Sequence, residues 1–160
     1  MRRHLKDQAV SILREGRDMT LASLCEDGAP HAVVVSYASE GLRIYFGCAA
    51  DSRKALTLGR DNRAAATVTL PYGSWSEIRG VSLMGRARRI DDMSEIDRVG
   101  RLLLAKFPQA GEVVAEPYQS VRLFEFAPTE ISVLDYAKGF GHLEHAVVAS
   151  EDLTVGNTTV

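Results

Sequence analysis

The sequence predicts a mainly β domain: an antiparallel barrel with helices on its outside. Three observations predict it. Six or seven short runs have strand period, β-branched residues or both. Turn signals separate the first three of them, which gives the pattern of an antiparallel meander. Strands crowd the first half without the strand–helix alternation that a parallel sheet needs. The 160 residues suit one domain with a real core, and 46% hydrophobic against 25% charged residues is an ordinary globular balance.

In chain order, Leu5, Ala9, Ile12 and Leu13 recur at helical spacing, which predicts an amphipathic helix over 3–16 that Gly16 ends. Met19, Leu21 and Cys25 alternate with small or polar residues in a first strand. Asp27-Gly28 marks the turn into a second strand from His31 to Tyr37, whose apolar residues on both faces predict full burial. Ser39-Glu40-Gly41 leads to a third strand, Leu42 to Cys48. A short helix over 52–60 precedes a strand at Ala64–Leu70, which Pro71-Tyr72-Gly73-Ser74 breaks. Gly80 to Ile90 reads as a strand whose glycines predict a bend or bulge. Ser94 to Phe107 reads as a helix capped by Ser94, with Ile96, Val99, Leu102, Leu103 and Lys106 on its face and Pro108 as its stop. Val121–Phe126 and Ile131–Leu134 are expected to pair across Ala127-Pro128-Thr129-Glu130. The domain is expected over 1–146, with a loose tail over 147–160.

The net charge of −2, from 19 basic and 21 acidic residues, speaks against a general grip on nucleic acid. It leaves room for a local basic pocket. No apolar run follows the basic residues Arg2, Arg3 and Lys6, so neither a secretory signal nor a membrane span is expected. Cys25 and Cys48 lie far apart in apolar runs and read as buried free thiols in a cytoplasmic protein.

Ala50-Asp51-Ser52-Arg53-Lys54-Ala55-Leu56 is the most informative stretch. It follows a strand and opens a short helix, where amides point outward and the macrodipole is positive. Ser52 adds a hydroxyl, Arg53 a planar fork and Lys54 a mobile charge, each suited to phosphomonoester oxygens.

That stretch belongs to an ordered set: Thr20-Leu21-Ala22-Ser23-Leu24, Asp27-Gly28-Ala29-Pro30-His31, Leu42-Arg43-Ile44-Tyr45-Phe46, Ser52-Arg53-Lys54-Ala55, Leu58 and Asn62. Ile78-Arg79-Gly80-Val81, Gly85-Arg86-Ala87 and Lys106-Phe107-Pro108 continue it. The set, spanning residues 8–136, resembles the pyridoxamine 5′-phosphate oxidase-like, FMN-binding split-barrel superfamily. The resemblance implies a six-stranded antiparallel split barrel that forms a homodimer with two FMN molecules at the subunit interface. It implies that Ser52, Arg53 and Lys54 hold the phosphate and that Val34, Val35 and Ser36 lie along the flavin ring. Phe46 and Gly47 match further cofactor contacts, and Arg79 and Gly80 fall where a polar contact to the flavin is common. The vitamin B6 oxidase proper carries an arginine and a lysine on the strand occupied here by Val33 to Ala38, together with a W-R…R-L-x-P ending. Neither is present. A flavin-dependent oxidoreductase acting on some other small molecule is therefore the expectation, with no catalytic acid or base assigned.

The end of the chain offers an alternative. Gly139-Phe140-Gly141-His142 is similar to the tail of split-barrel proteins that handle haem, and His142 or His145 is a candidate iron ligand. No other metal site is expected, because no second Cys/His pair stands at ligand spacing. Trp75 is a candidate to cover a ring or contact a partner chain. Asp91, Asp92 and Glu95 read as ordinary acidic residues at a helix start, and no triad order, Walker loop or G-x-G-x-x-G occurs.

Overall fold

A computed structural model describes residues 1–113 and 121–154. Helix α1 (Arg3–Glu15) buries Leu5, Ala9, Ile12 and Leu13, the stripe its spacing dictates. It stops at Gly16 for a steric reason, with φ at −64° rather than in the left-handed region. A Cβ at residue 16 would stand 2.5 Å from the Tyr37 hydroxyl oxygen. That hydroxyl donates to the Leu13 carbonyl at 2.8 Å, closing the helix end.

Strands β1 (Asp18–Leu24) and β2 (Pro30–Ser36) form a hairpin through Gly28, whose φ of 82° suits glycine. β3 (Ala38–Glu40) and β4 (Arg43–Ala49) form a second hairpin through Gly41. Helix α2 (Arg53–Arg60), β5 (Arg63–Thr69), β6 (Arg79–Arg89), helix α3 (Met93–Lys106), α4 (Ala110–Val113), β7 (Val121–Asp135) and β8 (Leu143–Val147) follow. The strands pair antiparallel in the order β2-β1-β5-β6-β7-β4-β3, and β8 pairs with the second half of β7. The sheet curls into a half-barrel around Leu21, Val68, Leu83, Phe126 and Ile131, with Phe46 and Phe124 stacked at 5.4 Å. A second cluster, Tyr45, Ile90 and Val99, lies under α3.

The mainly β antiparallel architecture is the expected one, with eight strands among the described residues in place of six or seven. Four expectations need correction. The first three strands are not a simple meander. The run from 30 to 40 breaks at Tyr37 into β2, which pairs with β1, and β3, which pairs with β4. β4 thus joins β7 at the other end of the sheet. β2 is not fully buried either: it is an edge strand, and Val34 is 69% exposed. Residues 121–135 form one strand and not a hairpin, because the register shift at Met84/Gly85 absorbs Thr129 as an extra residue. Pro128 is tolerated at this irregularity, opposite Gly85. Finally, Asp92 rather than Ser94 caps α3, accepting from the Glu95 amide at 3.0 Å, and Ser94 donates to Asp92.

Lys106, at the end of α3, leaves the helix face to donate to the Gly16 carbonyl, 4.3 Å from the Tyr37 ring centroid. Burial and the neighbouring Arg17 charge lower its pKa. Residues 148–154 fall within the expected loose tail. Val148 is nevertheless buried, and the Asp152 carboxylate meets the Met1 ammonium at 3.2 Å. Residues 155–160 lie outside the described residues.

Candidate functional site

Helix α2 is placed by its first turn and by one buried contact. Ser52 adopts the extended conformation of a cap and accepts from the Ala55 amide at 3.3 Å. Inside, the Ser23 hydroxyl of β1 lies 3.2 Å from that of Thr57, and Thr57 also donates to the Lys54 carbonyl at 3.2 Å. These contacts fix the residues that follow β4. Cys48 sits beneath the turn. Burial raises its thiol pKa, while a hydrogen bond with Ser52 and the Lys54 charge oppose that shift.

A cleft of about 830 Å³ opens between the β1–β2 turn, the start of β2 and α2. Its walls carry Cys25, His31, Asp51, Arg53, Thr57 and Arg60. Cys25 is therefore half-buried at a cleft, whereas Cys48 is buried as expected, and both thiols are free. Among the described residues neither Arg53 nor Lys54 has a carboxylate partner. Other cations are committed: Arg43 to Glu125 at 2.7 Å, Arg88 to Glu95 at 2.6 Å, and Arg60 to Glu26 at 3.3 Å.

The other sequence candidates fall in three places. Phe46 and Val35 turn their side chains into the core, closed to a ligand, while Gly47 sits beside Leu123. Val34 and Ser36 project outward from β2, and Ser36 donates to Asp18 at 2.6 Å. Arg79 and Gly80 begin β6 at the end of the sheet remote from α2. By register they share a row with Ser36 three strands away, roughly 14 Å. Arg79 lies 3.7 Å from Glu15. Gly80 has a packing reason, since a Cβ there would stand 2.7 Å from the Val68 carbonyl oxygen.

His142, just before β8, and His145 on it flank Glu144, with His142 and Glu144 partly buried and His145 exposed. His142 meets Glu144 at 3.3 Å, and His145 meets Ser132 at 3.2 Å. Phe140, between the positive-φ residues Gly139 and Gly141, stacks on Trp75 at 5.7 Å, and both rings are exposed. Asp91 and Glu95 pair with Arg89 and Arg88, which with the Asp92 cap accounts for the acidic start of α3.

A family model for pyridoxamine 5′-phosphate oxidase matches residues 5–135, most of the chain. The protein belongs to the pyridoxamine 5′-phosphate oxidase family. Its fold is the split barrel of that family, as solved structures agree. A heme binding protein from Mycobacterium smegmatis superposes with a TM-score of 0.78 at 19% identity over 92% of this chain. This chain spans 59% of that protein's length. General Stress Protein 26 from Bacillus anthracis matches with a TM-score of 0.69 at 16% identity, over 91% of this chain and 99% of its own. An FAD-binding protein from Mesorhizobium loti matches with a TM-score of 0.65 at 17% identity, over 79% of this chain and 91% of its own. No curated protein sequence matches the chain.

Sequence reasoning missed two things at this site. The Ser23–Thr57 contact joins hydroxyls 34 residues apart, and neither carries a local signal. His31 reads as the first residue of a strand and as one member of the ordered family set, and not as a wall of the cleft; its place after Asp-Gly-Ala-Pro, at the exit of a tight turn, is the available hint.

Proposed function

We propose that this family member binds FMN and acts as a flavin-dependent oxidoreductase on a small molecule. The observation that carries the reading is the adjacent pair Arg53 and Lys54, without carboxylate partners among the described residues, at the start of a helix whose cap is Ser52. Two cations, a hydroxyl and outward amides suit a phosphomonoester dianion. β2 adds a place for the ring: among the described residues it pairs only with β1, which leaves its other backbone edge for a heterocycle's carbonyl and imide groups. Val34 supplies exposed apolar surface beside that edge. Bound FMN would supply the electron-accepting chemistry, and the protein's residues would hold and orient it.

In this reading two copies pair through the outer face of the sheet, with the cofactor between them. One row across that face runs Val34, Thr20, Thr67, Ser82 and Ser132, and a second runs Ala32, Ala22, Ala65 and Met84. None of these residues carries a charge, and most are exposed, although the second row runs on from Met84 into Glu130 of β7, which lies 3.6 Å from His145. Arg79 and Gly80 would then meet a ring bound at the sheet's far end. The proposed setting is cytoplasmic, and none of the described helices is long and apolar enough to cross a membrane. The absorption spectrum and mass of the ligand that copurifies with the protein test the reading. Yellow protein releasing FMN supports it, and colourless protein that takes up no added FMN contradicts it.

A second reading, haem binding, is favoured by the exposed Trp75–Phe140 stack close to His142. It requires a Soret band on haemin titration that weakens in His142→Ala or His145→Ala. Because His142 is partly buried beside Glu144 and His145 is exposed beside Ser132, only one of them would serve one iron from one chain.

A further inference from the structure

The candidate contacts to a flavin ring fall at two places in one chain. Val34 and Ser36 lie on the edge strand β2, whereas Arg79 and Gly80 open β6, three strands away at roughly 14 Å. A ring lying along β2 does not reach β6 of its own chain. The β6 end also carries two exposed rings. Trp75 is 64% exposed and Phe140 is 81% exposed, yet they stack with their planes 6° apart, and Tyr136 packs at 5.5 Å against Phe140. Backbone contacts hold this corner in place. The Glu77 carboxylate accepts from the Gly73 and Ser74 amides at 2.8 and 3.1 Å, and the Tyr136 amide donates to the Ile78 carbonyl at 3.0 Å. A fixed, flat aromatic surface left in water is a place for a planar partner.

A two-fold axis brings the two places together. Thr67 on β5 is the midpoint of the first uncharged row, with β1 and β2 on one side and β6 and β7 on the other. An axis beside Thr67 and parallel to the strands lays β2 over the partner's β7 and β1 over its β6, with equivalent sheet ends together. Ser36, Asp18 and Gly80 stand at the same end, so β2 finishes against the partner's aromatic corner. The same operation brings the exposed Asp18 carboxylate toward the partner's Arg79, a complementary charge. The other two-fold in this plane, along the row, stacks β2 on β2 with reversed ends and keeps the two places apart. We propose that the partner's Trp75–Phe140 pair walls the flavin ring held along β2, so that each site draws on both copies. The inference rests on the FMN reading above and deepens it. The recognised chemistry is a planar heteroaromatic ring, and FMN and riboflavin are the probes.

Two variants paired in one dimer test it. Arg53→Ala/Lys54→Ala removes the cationic pair of the phosphate site, and Trp75→Ala/Phe140→Ala removes the wall. Chains carrying different affinity tags are coexpressed, the heterodimer is purified, and FMN is titrated by flavin fluorescence. With the wall in trans, one site of the heterodimer keeps both parts and the other loses both. The heterodimer is expected to bind one FMN with wild-type affinity, while each variant homodimer binds about tenfold more weakly or worse. With the wall in the same chain, each site would carry one defect, so a heterodimer without a site of wild-type affinity overturns the inference. Trp75→Ala/Phe140→Ala should weaken FMN and riboflavin alike. Unchanged affinity, or a loss confined to FMN, overturns the inference and leaves the flavin reading intact, as does a monomeric wild type. A wild type that binds no FMN overturns both together. Should the double variant not fold or not dimerise, Trp75→Leu takes its place in the same pairing.

Discussion

The hydroxyls of Ser23 and Thr57 meet at 3.2 Å in the interior and tie β1 to the helix that carries Arg53 and Lys54. Thr57→Val removes this bond and the one to the Lys54 carbonyl, and leaves Ser23 buried without a partner. The expected cost is about 2 kcal/mol, measured by urea denaturation. Ser23→Ala leaves Thr57 its bond to Lys54 and should cost less, about 1 kcal/mol. FMN affinity should fall in Thr57→Val although no charge changes, because the start of α2 loses its support.

Gly85 faces the β7 bulge so closely that a Cβ at residue 85 would stand 2.2 Å from the Ala127 carbonyl oxygen. Backbone on both sides has no side chain to move out of the way. Gly85→Ala should lower stability by roughly 3 kcal/mol, or yield no soluble protein, whereas Gly59→Ala, with open space around it, should be near neutral or stabilising. Thermal unfolding of the two variants side by side checks this.

The outer face offers a test of assembly. Thr67 lies in the middle of the uncharged row, flanked by Thr20 and Ser82. Thr67→Arg would bring a charge into the proposed dimer contact and should shift the protein from dimer to monomer in light scattering. It should also weaken FMN binding while leaving the monomer folded. A monomeric wild type would contradict the assembly directly.

Glu144 accepts from Lys138 and Arg2, each at 2.9 Å, and meets His142. The Lys138 hydrogen bond first, and then His142, hold its carboxyl at about 2, against an ordinary value of 4.5. A carboxylate whose pKa is depressed on folding contributes stability in full above its unfolded value and loses it as pH falls through the folded one. The melting temperature should therefore drop between about pH 4.5 and pH 2, and Glu144→Gln should flatten that part of the profile. The outcome also bears on haem: with Nε2 of His142 held by Glu144, iron ligation that keeps this contact would use Nδ1.

Much of this molecule was legible in the residues, and the exceptions have physical causes. α1 and the short helix after Ser52 are legible because helical spacing and the change from strand to helix are local signals, whereas the caps Ser52 and Asp92 are not read as such. The apolar run of β2 reads as buried on both sides, and the structure exposes one of them. Val34 is apolar on a face its own chain leaves open, and a sequence does not distinguish a face covered by the same chain from one left for a partner or ligand. Ala127-Pro128-Thr129-Glu130 reads as a connection between two strands, and proline does lack a ladder donor. That lack costs nothing at a bulge, whose other half is Gly85, some forty residues earlier. β8 escaped notice because its alternation, Glu144 and Ala146 inward with Leu143, His145 and Val147 outward, does not follow polarity.

The most direct measurement is the dissociation constant for FMN of the wild type and of Arg53→Ala/Lys54→Ala, with circular dichroism to confirm that both fold. Loss of two charge-assisted contacts should weaken binding by about 2–5 kcal/mol, with little change for riboflavin. Equal affinity in the two proteins would place the phosphate elsewhere and contradict the site.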